Sequence, residues 1–182
     1  MEILIYIFSI IWFLAPAGVA NMAAGISGKL FPNFSYPLDL RRTFRGKRMF
    51  GDHKTIRGIV LGTAAGTIFY LLQSTQVSKF DLTYTVNNQD PINSILIGLS
   101  LSMGGLIGDV VKSFFKRQLE IRPGKSWFPF DQLDWVCGTI IFSLWFIDLD
   151  IAFILLTFVT GLALHMSIKL AGYLLKLQDE KF

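Results

Sequence analysis

GGLIGDVVKSFFKRQLEIRPGKSWFPFDQLD, residues Gly104 to Asp134, is where an apolar run ends in a dense set of acids, bases and hydroxyls. Asp109, Ser113 and Lys116 stand at i, i+4 and i+7, a spacing that places all three on one helix face. Asp131 and Asp134 are three apart, so a helix starting there aims both carboxylates the same way. Hard divalent cations take carboxylate oxygens, and phosphates take Lys and Arg. The stretch therefore carries the ingredients of a metal–phosphate site. Spacing alone equally allows a charged loop that marks the boundary between lipid and water.

The rest of the chain sets the class. Of 182 residues, 52% are hydrophobic and only 16% charged, and mean hydropathy is +0.51, which excludes an ordinary water-soluble domain and fits an integral membrane protein. Length suits a single bundle, residues 1–182, rather than two domains. The lone Cys137 has no internal disulfide partner, and its apolar neighbours make it a packing residue. No His/Cys spacing resembles a zinc site.

Working outward, the 104–134 stretch closes a span of about 92–115 and opens another of about 133–147. A third apolar run, 151–170, follows the Asp148/Asp150 turn. On the N-terminal side lie spans of about 3–26 and 59–72, given that a crossing needs roughly 20 apolar residues. The first is read as a retained helix rather than a signal peptide, because Glu2 opens it and the cations come afterwards. Pro16 is expected to kink it, and Asn21 is a polar group at depth that needs a protein partner. Gly62 and Gly66, four apart, read as a close helix-packing face. The expected fold is an all-α integral membrane protein with five transmembrane helices and two functional cytoplasmic loops. A short strand around Leu82 to Val86 is expected in the loop on the far side.

The first of those functional loops, 29–57, holds Arg41, Arg42, Arg45, Lys47, Arg48, Lys54 and Arg57, punctuated by glycines. Loops of this length are often functional. A positive-inside anchor needs cations without particular spacing. A polyphosphate cradle needs glycines that let backbone N–H groups approach an anion, with Lys, Arg and Thr adding donors. GDHKTIRG, Gly51 to Gly58, has those ingredients but not the P-loop pattern. His53 is a weak functional candidate beside Asp52 and Lys54, while His165, alone in the last span, is expected to be a packing residue. The loops after spans one and three and the C-terminal tail are basic, so five spans alternate correctly only with the N-terminus outside and the C-terminus inside. That topology gathers Asp52, His53, Lys54, Asp109, Lys116, Arg117, Asp131 and Asp134 at the cytoplasmic surface.

These residues also carry a resemblance. Gly108-Asp109, Ser113, Lys116-Arg117, Pro129, Asp131 and Asp134 resemble the signature of the CTP:phosphatidate cytidylyltransferase superfamily. Gln132 stands where the phosphatidate branch has Arg, and its His-Gly-Gly is missing, so the chain is more similar to the CDP-archaeol synthase branch with D-Q-x-D. Pro16 with Ala20-Asn21-Met22-Ala23, and Gly51 to Gly58, resemble two further motifs of that branch in matching order. The resemblance implies Mg²⁺-dependent transfer of CMP from CTP to an isoprenoid ether lipid phosphate, 2,3-di-O-geranylgeranylglyceryl phosphate, within the lipid bilayer and without nucleic acid as a partner. It assigns Asp109, Asp131 and Asp134 to Mg²⁺, and Lys116 and Arg117 to phosphates, with Ser113 as a hydrogen-bond donor. Asp52, His53, Lys54, Thr55 and Arg57 are then expected around the nucleotide, and Asn21 in support. Two rivals stay open at this point: a phosphatidate cytidylyltransferase acting on ester lipids, and a small transporter or scaffold whose polar residues line a path across the bilayer.

Overall fold

A computed structural model describes residues 2–76, 90–122 and 124–174. Five helices carry the chain: α1 (Glu2–Leu30), α2 (Ile56–Ser74), α3 (Pro91–Gln118), α4 (Phe130–Ser143) and α5 (Ile151–Leu174). Between α1 and α2 lies one hairpin, β1 (Thr43–Phe44) paired antiparallel with β2 (Lys47–Arg48). Among the described residues, α1, α2, α3 and α5 are long and apolar enough to cross a membrane. At 14 residues α4 is shorter. The strand expected around Leu82 to Val86 lies outside the described residues.

Local chemistry sets the helix ends. Thr55 caps α2 by accepting from the Gly58 N–H, and Asp90 caps α3 ahead of Pro91 by accepting from the Ile92 N–H. Asp150 accepts from the Phe153 N–H at the start of α5. The fourth helix begins at Phe130, three residues before the expected span, because Pro129 fits a helix start and the apolar run takes over from there. It also ends earlier than expected, at Ser143, with a turn before the coil to Asp150. Pro16 lies inside an α1 that continues to Leu30.

Two glycine faces bring the helices together. A Cβ on Gly62 would sit 2.7 Å from the Ala20 carbonyl oxygen, and one on Gly66 2.6 Å from that of Pro16, so α1 and α2 touch backbone to backbone. Gly104 and Gly108 of α3 meet Gly138 and the Asp134 carbonyl of α4 in the same way. The core between these crossings includes Ile10, Phe13 and Leu14 of α1, Leu101 of α3, Val136 of α4 and Phe153 of α5. Large apolar side chains such as Val60, Ile68 and Val159 face outward, as lipid allows. Two buried side chains tie helices together: Ser100 Oγ donates to the Phe142 carbonyl (2.6 Å) and Gln73 Nε2 to that of Trp12 (2.8 Å). The outcome is an α3–α4 pair whose near ends are locked at the height of Asp109 and Asp134.

Candidate active site

The three acids of the sequence motifs meet. Lys112 is the hub: its Nζ lies 3.0 Å from Asp109 Oδ1, 3.1 Å from Asp131 Oδ1 and 2.9 Å from Asp134 Oδ2. Lys54 reaches in from the loop before α2 to Asp109 Oδ2. Lys116, one turn past Lys112, holds both oxygens of Asp131 at 3.0 and 2.9 Å and donates to the Lys125 carbonyl. Backbone amides complete the carboxylates, Trp127 N–H to Asp131 (2.6 Å) and Trp135 N–H to Asp134 (2.6 Å). Three carboxylates thus face three ammonium groups. The pairing is obligatory: the Asp134 side chain is only 6% exposed, and a buried charge without a partner is strongly destabilising.

The hairpin and the contacts around it position Lys54. The hairpin turns through Arg45-Gly46, both at positive φ (52° and 78°), the conformation of a two-residue turn between antiparallel strands. Lys47 then ties the hairpin to the end of α3, donating to the Gln118 carbonyl (2.8 Å) and pairing with Glu120 (2.8 Å). Phe44 and Phe50 pack on Phe114. Behind them the buried Asp39 accepts from Arg48 and from the backbone N–H groups of Arg41, Phe50 and Gly51. Burial alone would raise its pKa, but the Arg48 guanidinium and those amides outweigh it and hold the carboxyl down at about 2. The loop is therefore a built platform on α3, and it presents Lys54 to Asp109.

Other expected residues do different work. Asp52 is exposed and pairs with Arg48 (3.0 Å), away from the acids. Thr55 is occupied as a helix cap, and this consumes the Gly58 N–H that a phosphate cradle would have offered. Arg57 Nη1 donates to the Phe31 and Pro32 carbonyls and fastens the end of α1. Ser113 Oγ donates to the Asp109 carbonyl one turn back, so its hydroxyl is turned into its own helix. Arg117 keeps a buried Nε with no hydrogen-bond partner among the described residues. Asn21 Nδ2 donates to Ala17 and faces two of the cavities described next.

Three cavities converge on the cluster. A polar one of about 150 Å³ is lined by Asn21, His53, Lys54, Thr55 and Asp109. A second, about 400 Å³, lies between α1, α3, α4 and α5 and is bounded by the three acids, Lys112, His165 and Lys169. The third, about 480 Å³, runs between α3 and α4 and is walled by apolar groups including Val111, Phe115, Phe130 and Ile141. Lys112 was not singled out by sequence reasoning, although a lysine three residues after an acid inside an apolar helix is a signal for it. His165, expected only to pack, borders the same cavity as the acids.

The donor set is that of a hard divalent cation, carboxylates from two helices. Among the described residues, no group of three or more His, Cys, Asp or Glu is arranged to enclose a metal ion. The Lys112 ammonium stands in as the cation, within 3.1 Å of all three acids. The residues fit such an ion in chemistry, with a lysine in the seat.

Comparison with known proteins agrees with the motifs. The model of the family described as CarS-like, CDP-archaeol synthase, matches residues 2–182. A CDP-archaeol synthase of Pyrobaculum arsenaticum is 30% identical, covering 99% of both chains. One of Methanoculleus marisnigri is 35% identical over 91% of this chain and 98% of its own. A solved structure described as an intramembrane enzyme for archaeal membrane lipids biosynthesis superposes with TM-score 0.70 at 25% identity, over 88% of this chain and 92% of that one. Multiple apolar helices and this likeness make the chain a multi-pass membrane protein. With motifs, fold and full-length relatives in agreement, the chain belongs to the CDP-archaeol synthase family.

Proposed function

We propose that the protein transfers CMP from CTP to 2,3-di-O-geranylgeranylglyceryl phosphate, giving CDP-archaeol and pyrophosphate. The observation that carries this reading is the meeting of an apolar cavity with a cluster of buried acids and lysines. The apolar cavity between α3 and α4 suits isoprenoid chains, and its polar end is Lys112 with Asp134. The cavities beside Lys54 and beside His165 and Lys169 suit a triphosphate. A phosphate oxygen of the lipid attacks the α-phosphorus of CTP, the bond from that phosphorus to the bridging oxygen breaks, and pyrophosphate leaves. The nucleophile is already an anion, so no strong base is required. The protein's task is to overcome the repulsion between two anions and to steady the leaving group.

Asp109, Asp131 and Asp134 would hold Mg²⁺, which when bound supplies positive charge between the two substrates. Lys54, Lys112 and Lys116 sit where phosphates would arrive and can exchange carboxylates for phosphate oxygens. Arg117 brings a guanidinium with an unused donor to the same end of α3. In this reading α4 makes the fourth of five crossings, its short helix completed by the turn to Ile147. The N-terminus is outside, and the C-terminus and the active site are cytoplasmic, as the basic loops favour.

The test is pyrophosphate release by purified protein in detergent, with each nucleoside triphosphate, with and without lipid phosphate. Release only with CTP, lipid phosphate and Mg²⁺ is expected, with the ether lipid turned over faster than its ester counterpart. Release that ignores the lipid, or a preference for the ester lipid, would overturn the assignment.

A further inference from the structure

Lys112 and Asp134 are the two residues that border both the apolar cavity between α3 and α4 and the second cavity beside α5. Their ion pair, 2.9 Å long, is the partition between the two. Lys112 also binds Asp109 and Asp131, so one ammonium neutralises acids drawn from two helices. We infer that Lys112 is an exchangeable internal cation: it fills the acid cluster in the free protein and leaves it for the lipid phosphate, and this departure admits the divalent ion. The inference rests on the proposed transferase reading and adds the order of events and the residue that imposes it.

The physical argument is charge balance. With Lys54 and Lys116 also engaged, the acids have no uncompensated charge to offer a second cation. A divalent ion among them would stand within a few ångströms of the Lys112 ammonium, and repulsion at that distance is severe in a partly buried site. A phosphate entering through the apolar cavity meets Lys112 first and provides the replacement anion. The long, flexible lysine stem lets the head change partners while the stem stays against the cavity wall. Empty turnover is thereby disfavoured, because the metal seat opens only when a lipid phosphate is present. Lys112 thus has two successive partners, the carboxylates in the free protein and the lipid phosphate once it arrives.

The test reads metal binding without turnover. Mn²⁺ binding to the full-length protein in detergent, without CTP or lipid, is followed by the loss of the free-ion electron paramagnetic resonance signal. Lys112→Met is expected to bind Mn²⁺ at least tenfold more tightly than wild type, about 1.4 kcal/mol, while Lys112→Arg, which keeps the charge, does not. A merely structural lysine would give the opposite sign, because its loss would scatter the acids. Equal or weaker binding by a folded Lys112→Met overturns the inference. Should that variant not fold, the wild type alone decides. Ether lipid phosphate without CTP should tighten Mn²⁺ binding at least tenfold, and an unchanged affinity overturns the inference. Failure of CMP transfer by the wild type would instead strike the transferase reading, since neither titration depends on it.

Discussion

Gly104→Ala is the sharpest probe of how the fold holds the site. A Cβ there would lie 2.6 Å from the Gly138 carbonyl oxygen and 3.0 Å from both the Gly138 carbonyl carbon and Phe142 Cβ. Ordinary contact begins at 3.4 Å, so α3 and α4 must part by about 0.8 Å (3.4 − 2.6) at this level. The blocking atoms are largely backbone, which has no rotamer to change. Overpacking of this kind costs about 1–3 kcal/mol. The movement reaches the chemistry because Gly108, one turn on, packs against the Asp134 carbonyl, and Asp134 is held by Lys112 across the same crossing. A misplacement approaching 1 Å can reduce turnover by about 10²-fold. The assay pairs thermal unfolding in detergent with pyrophosphate release at saturating CTP and lipid. The expected result is a lower Tm together with a fall in kcat of roughly 10- to 100-fold. Val159→Ala, on an outward face 64% exposed, should change stability by less than about 0.5 kcal/mol. A Gly104→Ala protein with wild-type Tm and wild-type rate would refute the claim that this backbone contact sets the distance between the acids.

Three further outcomes follow from particular contacts. Asp39 has its pKa lowered from 3.8 to about 2. Its contribution to loop stability is therefore complete above pH 4 and fades as pH falls toward 2; hydrogen-exchange protection factors of the Phe50 and Gly51 amides, which donate to Asp39, should drop across that window and not between pH 5 and 7. Thr55→Ala should lower stability by about 1 kcal/mol through loss of the α2 cap, and Thr55→Ser should restore it, read as unfolding midpoints. Val111→Trp, placed in the wall of the apolar cavity, should raise KM for the lipid phosphate about tenfold and leave KM for CTP unchanged; equal effects on both would separate that cavity from the lipid.

Much of this arrangement is legible in the residue order because lipid simplifies the problem. Long apolar runs had to be helices, and the glycine pair 62/66 announced the close crossing of α1 and α2. The i, i+4, i+7 spacing put Asp109, Ser113 and Lys116 on one face of α3, and the spacing of Asp131 and Asp134 on α4 set them side by side. What escaped was partner choice. Lys112 reads as one more cation near a basic helix end, and only the crossing of α3 and α4 shows it at the centre of three acids. GDHKTIRG offers the same atoms to a phosphate cradle and to a helix start; the threonine is the cap, and Lys54 alone of that run is seen to reach an acid. His165 is silent in the sequence because nothing local says that α5 packs beside α1 and α4. The hairpin was also missed, though Arg45-Gly46 between Phe44 and Lys47 is a usable turn signal.

Transfer of label from α-³²P-CTP into the ether lipid phosphate by Asp134→Asn, beside wild type, asks most directly whether acids brought together from α3 and α4 perform the reaction. Incorporation should fall by about 10²-fold or more while the helical content is kept, since charge aimed at a transition state is commonly worth that much. Labelling within twofold of wild type would mean that this cluster is not where the phosphates meet.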